Sequence, residues 1–371
     1  MSLLKSRFIE MFENKTYKKV EGRNLFKFSS GKFLPIAKRM TSGIPVYGGN
    51  GISWYTDETL VSFDTIVIGR VGAYCGNVML VKGDKWITDN AIYISEFKTK
   101  DLKLEFLEKL MESYDFHSFS DSSAQPKITQ RPLENQLYIV PPIELQEEYI
   151  NQIKQIDKSK FLLQQILEKF ELLKKSRFIE LIGNIQNPKY QLVELNEICE
   201  FIKDGTHQTP IYTEDRVNGF KFLSSKDVTS QKINWSNIKY IPKELHEQLY
   251  AKLSPKRGDI LLAKNGTTGV AAVVDSDEIF DIYVSLALLR PKSGVNVSYL
   301  CSALNSEDLK RQFNSSLKGI GVPNLHLREI KKARIIFPPI DIQNKISSIT
   351  KQIDKSKLII QKALEDLVGK V

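Results

Sequence analysis

The sequence has few cysteines and no long apolar run, and each shortage excludes a class of protein. Its 371 residues include three cysteines, Cys75, Cys199 and Cys301, which are too widely spaced for a disulfide framework or a zinc site. We expect them to be small buried apolar residues in a reducing compartment. No apolar stretch approaches the ~20 residues that span a bilayer, and the N-terminus lacks the apolar core of a signal peptide. We therefore expect a cytoplasmic protein that does not enter a membrane.

Catalytic signatures are also missing. The four histidines are isolated from one another in the sequence, and none forms a metal-binding pair on a helix: His117, His207, His246 and His326. The sequence has neither the Gly-x-Ser-x-Gly turn of a serine nucleophile nor a glycine-rich cofactor loop between a strand and a helix. It therefore predicts no catalytic residue, no metal and no cofactor in this chain.

Charge and size indicate what the chain binds and how it is divided. The formal net charge is +9, and 42% of the residues are hydrophobic. A chain of this length has room for two domains with proper cores. The positive charge favours a nucleic-acid partner; an anionic membrane surface and simple solubility are the alternatives.

The chain contains several of its own segments twice. Lys154–Lys160 recurs letter for letter as Lys351–Lys357. Two further repeats are Pro141-Pro142-Ile143 with Gln146 against Pro338-Pro339-Ile340 with Gln343, and Ser6–Glu10 against Ser176–Glu180. The segment between the repeated ends is 27 residues longer in the second copy. One scaffold with two different middles is typical of a protein that presents two recognition surfaces, and it predicts pseudo-two-fold symmetry with neighbouring termini.

This pattern predicts an α+β protein of two mixed α/β domains, related by pseudo-two-fold symmetry and joined by two long antiparallel helices that form a coiled-coil spacer. Glycine-punctuated β runs in both middles indicate sheet-rich domains. Each middle is expected to end in a helix, Leu102 to Tyr114 in the first and Tyr299 to Phe313 in the second. The predicted boundaries are 1–14 for the N-terminal end of the repeated helical region, 15–142 for the first domain, 143–184 for the central helix, 185–339 for the second domain and 340–371 for the C-terminal helix.

Each long helix is expected to carry an apolar seam. Its residues lie mostly three and four apart: Ile153, Ile156, Leu163, Leu167 and Phe170 in the first helix, and Ile353, Ile360, Leu364 and Leu367 in the second. A lysine occupies the same register in both seams, Lys160 and Lys357. A polar residue inside a seam fixes the register of the helices; alternatively, both lysines extend out of a loose seam. The sequence leaves both interpretations open.

One segment of the second middle places several donors and acceptors together. It runs Lys203-Asp204-Gly205-Thr206-His207-Gln208-Thr209. Glutamine can pair with adenine through two hydrogen bonds, and threonine can contact the methyl group of thymine. An ordinary hydrogen-bonded turn is the alternative.

A second segment places a cation beside a glycine after a β run. It contains Lys264, Asn265, Thr267 and Thr268, and its counterpart in the first middle contains Arg70 and Tyr74. A cation so placed can reach a phosphate or a guanine edge. The first middle also has Lys38, Arg39, Tyr47 and Asn50, in and before an aromatic-rich stretch that either stacks on bases or forms local core.

Taken together, these features resemble the specificity subunit of a Type I restriction–modification system over essentially the whole chain. The resemblance depends on both Pro-Pro-Ile entries, the repeated helices, and Asp204–Pro210, which is similar to that family's Asp-Gly-Thr-His loop. Gln125–Ile128 and Val322–Leu325 resemble its Pro-Asn-Ile segment. The first middle departs from the pattern, with Ser29-Ser30-Gly31-Lys32 in place of Asp-Gly-Thr-His.

The resemblance implies a non-catalytic DNA-binding subunit. Each middle would be a target recognition domain that reads one half of an asymmetric bipartite sequence in double-stranded DNA, and the helices would set the spacer. Two modification subunits, which bind AdoMet and methylate adenine, and possibly restriction subunits that use ATP and Mg²⁺, would be its partners. It adds Lys32, Lys127, Lys318 and Asn324 to the candidate DNA contacts.

Two other functions fit parts of the sequence. A DNA methyltransferase or nuclease with fused recognition domains would explain the two middles, but no cofactor motif supports it. A helical adaptor that does not bind DNA would explain the repeated helices alone. The bases that are read and the length of the spacer do not follow from the sequence.

Overall fold

The structure is a computed structural model in which residues 12, 17–120, 126–266, 268–316 and 324–368 are described. The chain forms two compact units: unit 1 is Met1–Gln165 with Ile360–Val371, and unit 2 is Ile166–Ile359. The expected proximity of the termini concerns residues outside the described ranges. Within those ranges, no helix has the length and apolar character needed to cross a membrane.

Unit 1 is built from short strands and helices that precede a long helix. The strands are β1 (Lys18–Glu21), β2 (Phe26–Ser30), β3 (Ile44–Gly48), β4 (Gly51–Thr56), β5 (Thr65–Gly69), β6 (Val78–Val81), β7 (Trp86–Ile87), β8 (Ala91–Phe97) and β9 (Leu137–Val140). The helices are α1 (Gly22–Leu25), α2 (Leu104–Ser113), α3 (Gln130–Asn135) and the long α4 (Ile143–Ile182), whose first part belongs to unit 1.

The core of unit 1 lies between one sheet and helix α2. All five residues of β5 are buried, and four of them are β-branched, as expected in the middle of a sheet. Helix α2 packs one face against this sheet. The buried residues of that face are Phe106, Leu107, Leu110 and Met111. This spacing of apolar residues gives a helix a single buried stripe.

Unit 2 is built from the same kinds of elements. Its strands are β10 (Gly183–Asn184), β11 (Asn187–Pro188), β12 (Leu192–Glu194), β13 (Cys199–Asp204), β14 (Phe220–Leu223), β15 (Val228–Thr229), β16 (Lys232–Ile233), β17 (Lys239–Ile241), β18 (Ile260–Ala263), β19 (Ala271–Val273), β20 (Phe280–Ile282), β21 (Leu286–Pro291) and β22 (Arg334–Ile336). Its helices are α5 (Leu195–Ile198), α6 (Lys243–Tyr250), α7 (Val297–Leu304), α8 (Glu307–Ser316), α9 (Leu327–Lys332) and α10 (Ile340–Val368), which ends in unit 1.

The two units repeat one topology. The four-stranded sheet β2-β8-β5-β6 of unit 1 corresponds to β13-β21-β18-β19 of unit 2. The three-stranded sheet β4-β3-β7 corresponds to β17-β14-β20, and each contains one antiparallel and one parallel pair. The pair β1-β9 corresponds to β12-β22. Two mixed domains on one scaffold were expected from the repeats, and the strand orders agree with that expectation.

The sequence predicts a single helix from Tyr299 to Phe313, and this prediction is wrong. Two helices, α7 and α8, occupy the segment and are separated at Asn305. The Asn305 amide donates to the carbonyl oxygens of Cys301 and Ala271, both at 2.9 Å, and its oxygen accepts from the Ala271 amide at 3.0 Å. An asparagine that bonds nearby backbone groups in this way competes with helical hydrogen bonds and ends the helix.

A buried glutamine explains why each proline pair is followed by Gln at a constant distance. Gln146 Nε2 donates to the Pro141 carbonyl (2.8 Å), and Gln343 Nε2 donates to the Pro338 carbonyl (2.8 Å). The Gln146 side-chain oxygen accepts from the backbone of the residue that precedes α2 (2.9 Å), and that of Gln343 accepts from the residue that precedes α7 (3.0 Å). Both glutamines are fully buried. Each therefore connects the start of a long helix to the start of a domain helix.

Within unit 2, α4 and α10 run antiparallel. Lys174 Nζ lies 3.3 Å from Asp354 Oδ1, and Lys357 Nζ forms an ion pair with Glu171. Partial burial alone would raise the pKa of Glu171, but the hydrogen bond from Lys357 and nearby lysines lower this pKa below its ordinary value. Lys357 thus makes an ion pair between the two helices.

The equivalent lysine behaves differently. Lys160 Nζ lies 4.0 Å from Asp157, one turn away on its own helix. The repeat places Val368, which carries no charge, at the position that matches Glu171. Among the seam residues, three are buried: Ile153, Ile156 and Ile353. The others are partly buried: Leu163, Leu167, Phe170, Ile360, Leu364 and Leu367.

Candidate nucleic-acid interface

In unit 2 the candidate loop leaves the end of β13 at Asp204 and crosses the end of β20. A Cβ atom on Gly205 would lie 1.9 Å from the carbonyl oxygen of Ile282, so only glycine fits there. The next amide, of Thr206, donates to that same oxygen at 3.1 Å, and the Thr206 carbonyl accepts from the amide of Val284 at 2.9 Å. The backbone thereby fixes the start of the loop.

Asp204 contacts two other polar side chains at the start of this loop. Its Oδ2 accepts a hydrogen bond from Lys264 Nζ at 2.8 Å and lies 3.4 Å from His207 Nε2. The Lys264 side chain is only 6% exposed, whereas that of His207 is 74% exposed. Lys264 therefore braces the loop, and solvent reaches Lys203, His207, Gln208 and Thr209.

A third segment completes the site. Asn324 pairs with Asn265 through an antiparallel β-bridge, and the amide of Leu325 donates to the Lys264 carbonyl at 3.0 Å. The side-chain oxygens of both asparagines are buried and accept no hydrogen bond from a described group. The three segments enclose a cleft of about 480 Å³ lined by Asp204, His207, Lys264, Asn265, Val284, Asn324, His326, Leu327 and Arg328. Sequence reasoning missed His326 and Arg328; their polar side chains two and four residues after Asn324 were the available signal.

The same set of backbone contacts, the loop frame, recurs in unit 1 with different side chains. A Cβ on Gly31 would lie 2.1 Å from the Thr88 carbonyl oxygen, and the Lys32 amide donates to Ile87 at 2.8 Å, as Gly205 and Thr206 do in unit 2. The Arg70 carbonyl accepts from Ile128 at 2.9 Å, as that of Lys264 accepts from Leu325. Val71 bridges Lys127, as Asn265 bridges Asn324. The matched positions are therefore Ser30 and Asp204, Lys32 and Thr206, Arg70 and Lys264, Val71 and Asn265, and Lys127 and Asn324.

The remaining candidates of unit 1 lie around the three-stranded sheet and its turns. Lys38 forms an ion pair with Glu58, and the guanidinium of Arg39 lies 3.8 Å from the ring centroid of Trp54. Burial, and next the neighbouring Tyr55, raise the pKa of Tyr47, which is partly buried. Asn50, at the turn after β3, and Tyr74 are exposed. Tyr47 thus belongs partly to the core, whereas Tyr74 remains accessible.

Three candidates of the second middle need separate mention. Thr268 is partly buried, and its hydroxyl donates to the Lys264 carbonyl at 3.3 Å. Thr267 and Lys318 lie outside the described residues. Across the described ranges, no group of three or more His, Cys, Asp or Glu side chains is arranged to hold a metal ion.

The family model for the Type I restriction modification DNA specificity domain matches the chain twice, over residues 14–172 and 187–368. The chain belongs to this family. Each match contains one of the two loop frames, so both frames lie in specificity domains. The expectation of a specificity subunit with two recognition domains is thereby confirmed.

Individual relatives agree with this assignment. The Type I restriction enzyme EcoBI specificity subunit of Escherichia coli is 21% identical over 94% of this chain and 80% of its own length. The EcoprrI specificity subunit of the same species is 31% identical, but that match spans 28% of this chain and 25% of the relative. The crystal structure of a Type I restriction–modification S subunit from M. genitalium aligns with a TM-score of 0.54 and 16% identity, covering 95% of this chain and 93% of that one. This likeness confirms the fold.

Proposed function

We propose that each unit reads one half of an asymmetric, two-part DNA sequence, and that the chain itself performs no catalysis. The observation that carries this proposal is the repeated loop frame with different side chains. The same backbone contacts at Gly31 and Gly205 hold the two loops, yet all five matched positions differ between the units. One scaffold that presents two chemistries reads two different half-sites.

The exposed groups of unit 2 suit base edges. Gln208 and Thr209 are accessible next to His207, and glutamine and threonine can distinguish adenine and thymine in the major groove. Lys203 is exposed beside them and suits a phosphate contact, which positions a protein on DNA without reading its sequence.

We further propose that the long helices set the spacer between the half-sites and dock two modification subunits. Their exposed apolar residues support docking: Leu172, Leu358 and Ile359 are each at least 60% exposed. A partner that covers these side chains would remove their apolar surface from water, which favours association. AdoMet for adenine methylation would be bound by these partners, as would ATP and Mg²⁺ by restriction subunits, and the assembly would work in the cytoplasm.

The half-site assignment is tested by substituting the exposed loop of unit 2. A host that expresses the chain with its modification subunit is compared with one that carries His207→Ala and Gln208→Ala, and methylated adenines are mapped by single-molecule sequencing. We expect one half of the motif to change and the other half to persist. Gln248→Ala, an exposed substitution on α6 away from the loop and the long helices, is the control and should leave the motif unchanged. Simultaneous relaxation of both halves would show that the units do not read separately.

A further inference from the structure

The loop cations Arg70 and Lys264 occupy equivalent positions but have opposite electrostatic surroundings. The Arg70 amide donates to Asn90 at 2.9 Å, and the Lys264 amide donates to Ser285 at 2.8 Å. Each side chain then turns to the residue just before the loop glycine. That residue is Ser30 in unit 1 and Asp204 in unit 2.

In unit 2 a carboxylate pairs with the cation. Lys264 and Asp204 form a 2.8 Å ion pair, and the lysine is buried. A phosphate could bind this ammonium only if it displaced a carboxylate that is already in place. Removing one partner of a buried pair leaves an uncompensated charge, so the pair is expected to stay intact when DNA binds.

In unit 1 no described carboxylate pairs with the cation. Among the described residues, Arg70 Nη1 donates to two neutral acceptors, the Ser30 hydroxyl at 3.3 Å and the Asp89 carbonyl at 3.4 Å. Its Nε is buried and donates to no described group, and none of the ion pairs between described residues includes Arg70. Both hydrogen bonds are long, so the guanidinium retains donors for an anion. A guanidinium presents these donors in a planar fork that fits phosphate oxygens.

The neighbouring matched positions follow the same division. Lys32 and Lys127 are exposed in unit 1 where unit 2 has Thr206 and Asn324. The five matched positions of unit 1 thus hold three cations and no acid, whereas those of unit 2 hold one cation, one acid and three neutral side chains.

We propose that the loop frame of unit 1 contacts the DNA backbone through Arg70 and Lys32, whereas that of unit 2 makes no phosphate contact through Lys264 and reads base edges with neutral groups. Lys264 is a positioning residue. Asn265 and Asn324 line the cleft of unit 2 with partly buried amide side chains, and an amide side chain can pair with the edge of adenine. This inference rests on the proposed function and assigns a different chemistry to each half-site.

The test measures how affinity depends on salt. The full chain in complex with its modification subunit is titrated with a duplex that carries the methylated motif, at several potassium chloride concentrations. Affinity falls as salt rises, so the slope of log affinity against log salt is negative. Each lost phosphate contact reduces the magnitude of this slope by about 0.9. Ser30→Asp gives unit 1 the arrangement of unit 2 and should reduce the magnitude by about that amount. Ser30→Asn, of the same size but neutral, should leave the slope unchanged.

A double-mutant cycle separates neutralisation of Arg70 from general repulsion by a new carboxylate. Arg70→Gln should reduce the magnitude of the slope by about 0.9 alone, and adding Ser30→Asp should then have no further effect. The exposed Lys32→Gln substitution should also reduce this magnitude, with little effect on folding. Asn324→Ala in unit 2 should change base preference at one position without changing the slope.

Equal slopes for Ser30→Asp and Ser30→Asn would overturn the proposal. So would an Asp effect that persists undiminished in the Arg70→Gln background. If the unsubstituted complex showed no preference for the motif over a scrambled duplex, the proposed function would fail instead.

Discussion

Replacing Gln343 by leucine should destabilise unit 2 although it leaves both recognition loops unaltered. Gln343 is almost completely buried, donates to the Pro338 carbonyl at 2.8 Å and accepts from the Asn296 amide at 3.0 Å. Proline supplies no amide hydrogen and the backbone turns at this point, so the side chain supplies the hydrogen bonds that continuous secondary structure would otherwise provide. Leucine fills a similar volume but bonds neither group.

The expected loss in the free energy of unfolding follows from the two backbone groups that are left without hydrogen-bond partners. A buried donor or acceptor that loses its partner costs about 1–3 kcal/mol. Two such groups, one of them close to the surface, give an expected loss of about 2–4 kcal/mol. Trp235 is the one tryptophan of unit 2, so its fluorescence in a Trp54→Phe and Trp86→Phe background reports unfolding of that unit in urea.

A matched control lies on the same helix. Gln352 is exposed on α10, and Gln352→Leu should change the free energy of unfolding by less than about 0.5 kcal/mol. If Gln343→Leu were as mild as this control, the explanation of the repeated glutamine as a structural connector would be refuted.

Three further predictions follow. Gly31→Ala should disorder the unit 1 loop and abolish recognition of one half-site, because the added Cβ would lie 2.1 Å from a backbone oxygen. Gly49→Ala, whose Cβ would make no contact below 3.4 Å, should leave recognition intact. Loss of methylation at the motif reports the difference. Lys357→Met should lower stability at neutral pH by up to about 1 kcal/mol, because the pair is partly exposed. The pKa of Glu171 is lowered in the folded state, so this difference should disappear as the pH falls through that pKa, and a pH-independent difference in urea midpoints would contradict the pairing. Inserting four residues into both α4 and α10 adds about 6 Å to each helix and should lengthen the methylated spacer; an unchanged spacer would rule out the helices as its determinant.

The repeats made the scaffold predictable from sequence. The Pro-Pro-Ile entries locate the starts of α4 and α10 because proline tolerates the first turn of a helix and interrupts its interior. Short β-branched runs located strands such as β5. Strand order was not predictable, because β5 pairs with β6 and β8 through contacts between distant parts of the chain.

The chemistry of the loops was only partly predictable. Arg70 and Lys264 look alike in sequence, since each follows a β run and stands next to or near a glycine. Their difference depends on Ser30 and Asp204, which lie 40 and 60 residues away in the chain. No local pattern shows that one cation is paired with a carboxylate and that the other has no carboxylate partner among the described residues. The break at Asn305 was missed for a similar reason, because its side chain bonds a strand 34 residues away.

The most direct test of the account is a single-molecule methylome of a host that expresses this chain with its modification subunit, compared with a host that has the modification subunit alone. The account predicts a two-part, asymmetric motif with methylated adenine in each half, present only when the chain is present. If no chain-dependent methylation appeared while the modification subunit was active and bound to the chain, the chain would be an adaptor and the assignment of DNA reading to its two units would be wrong.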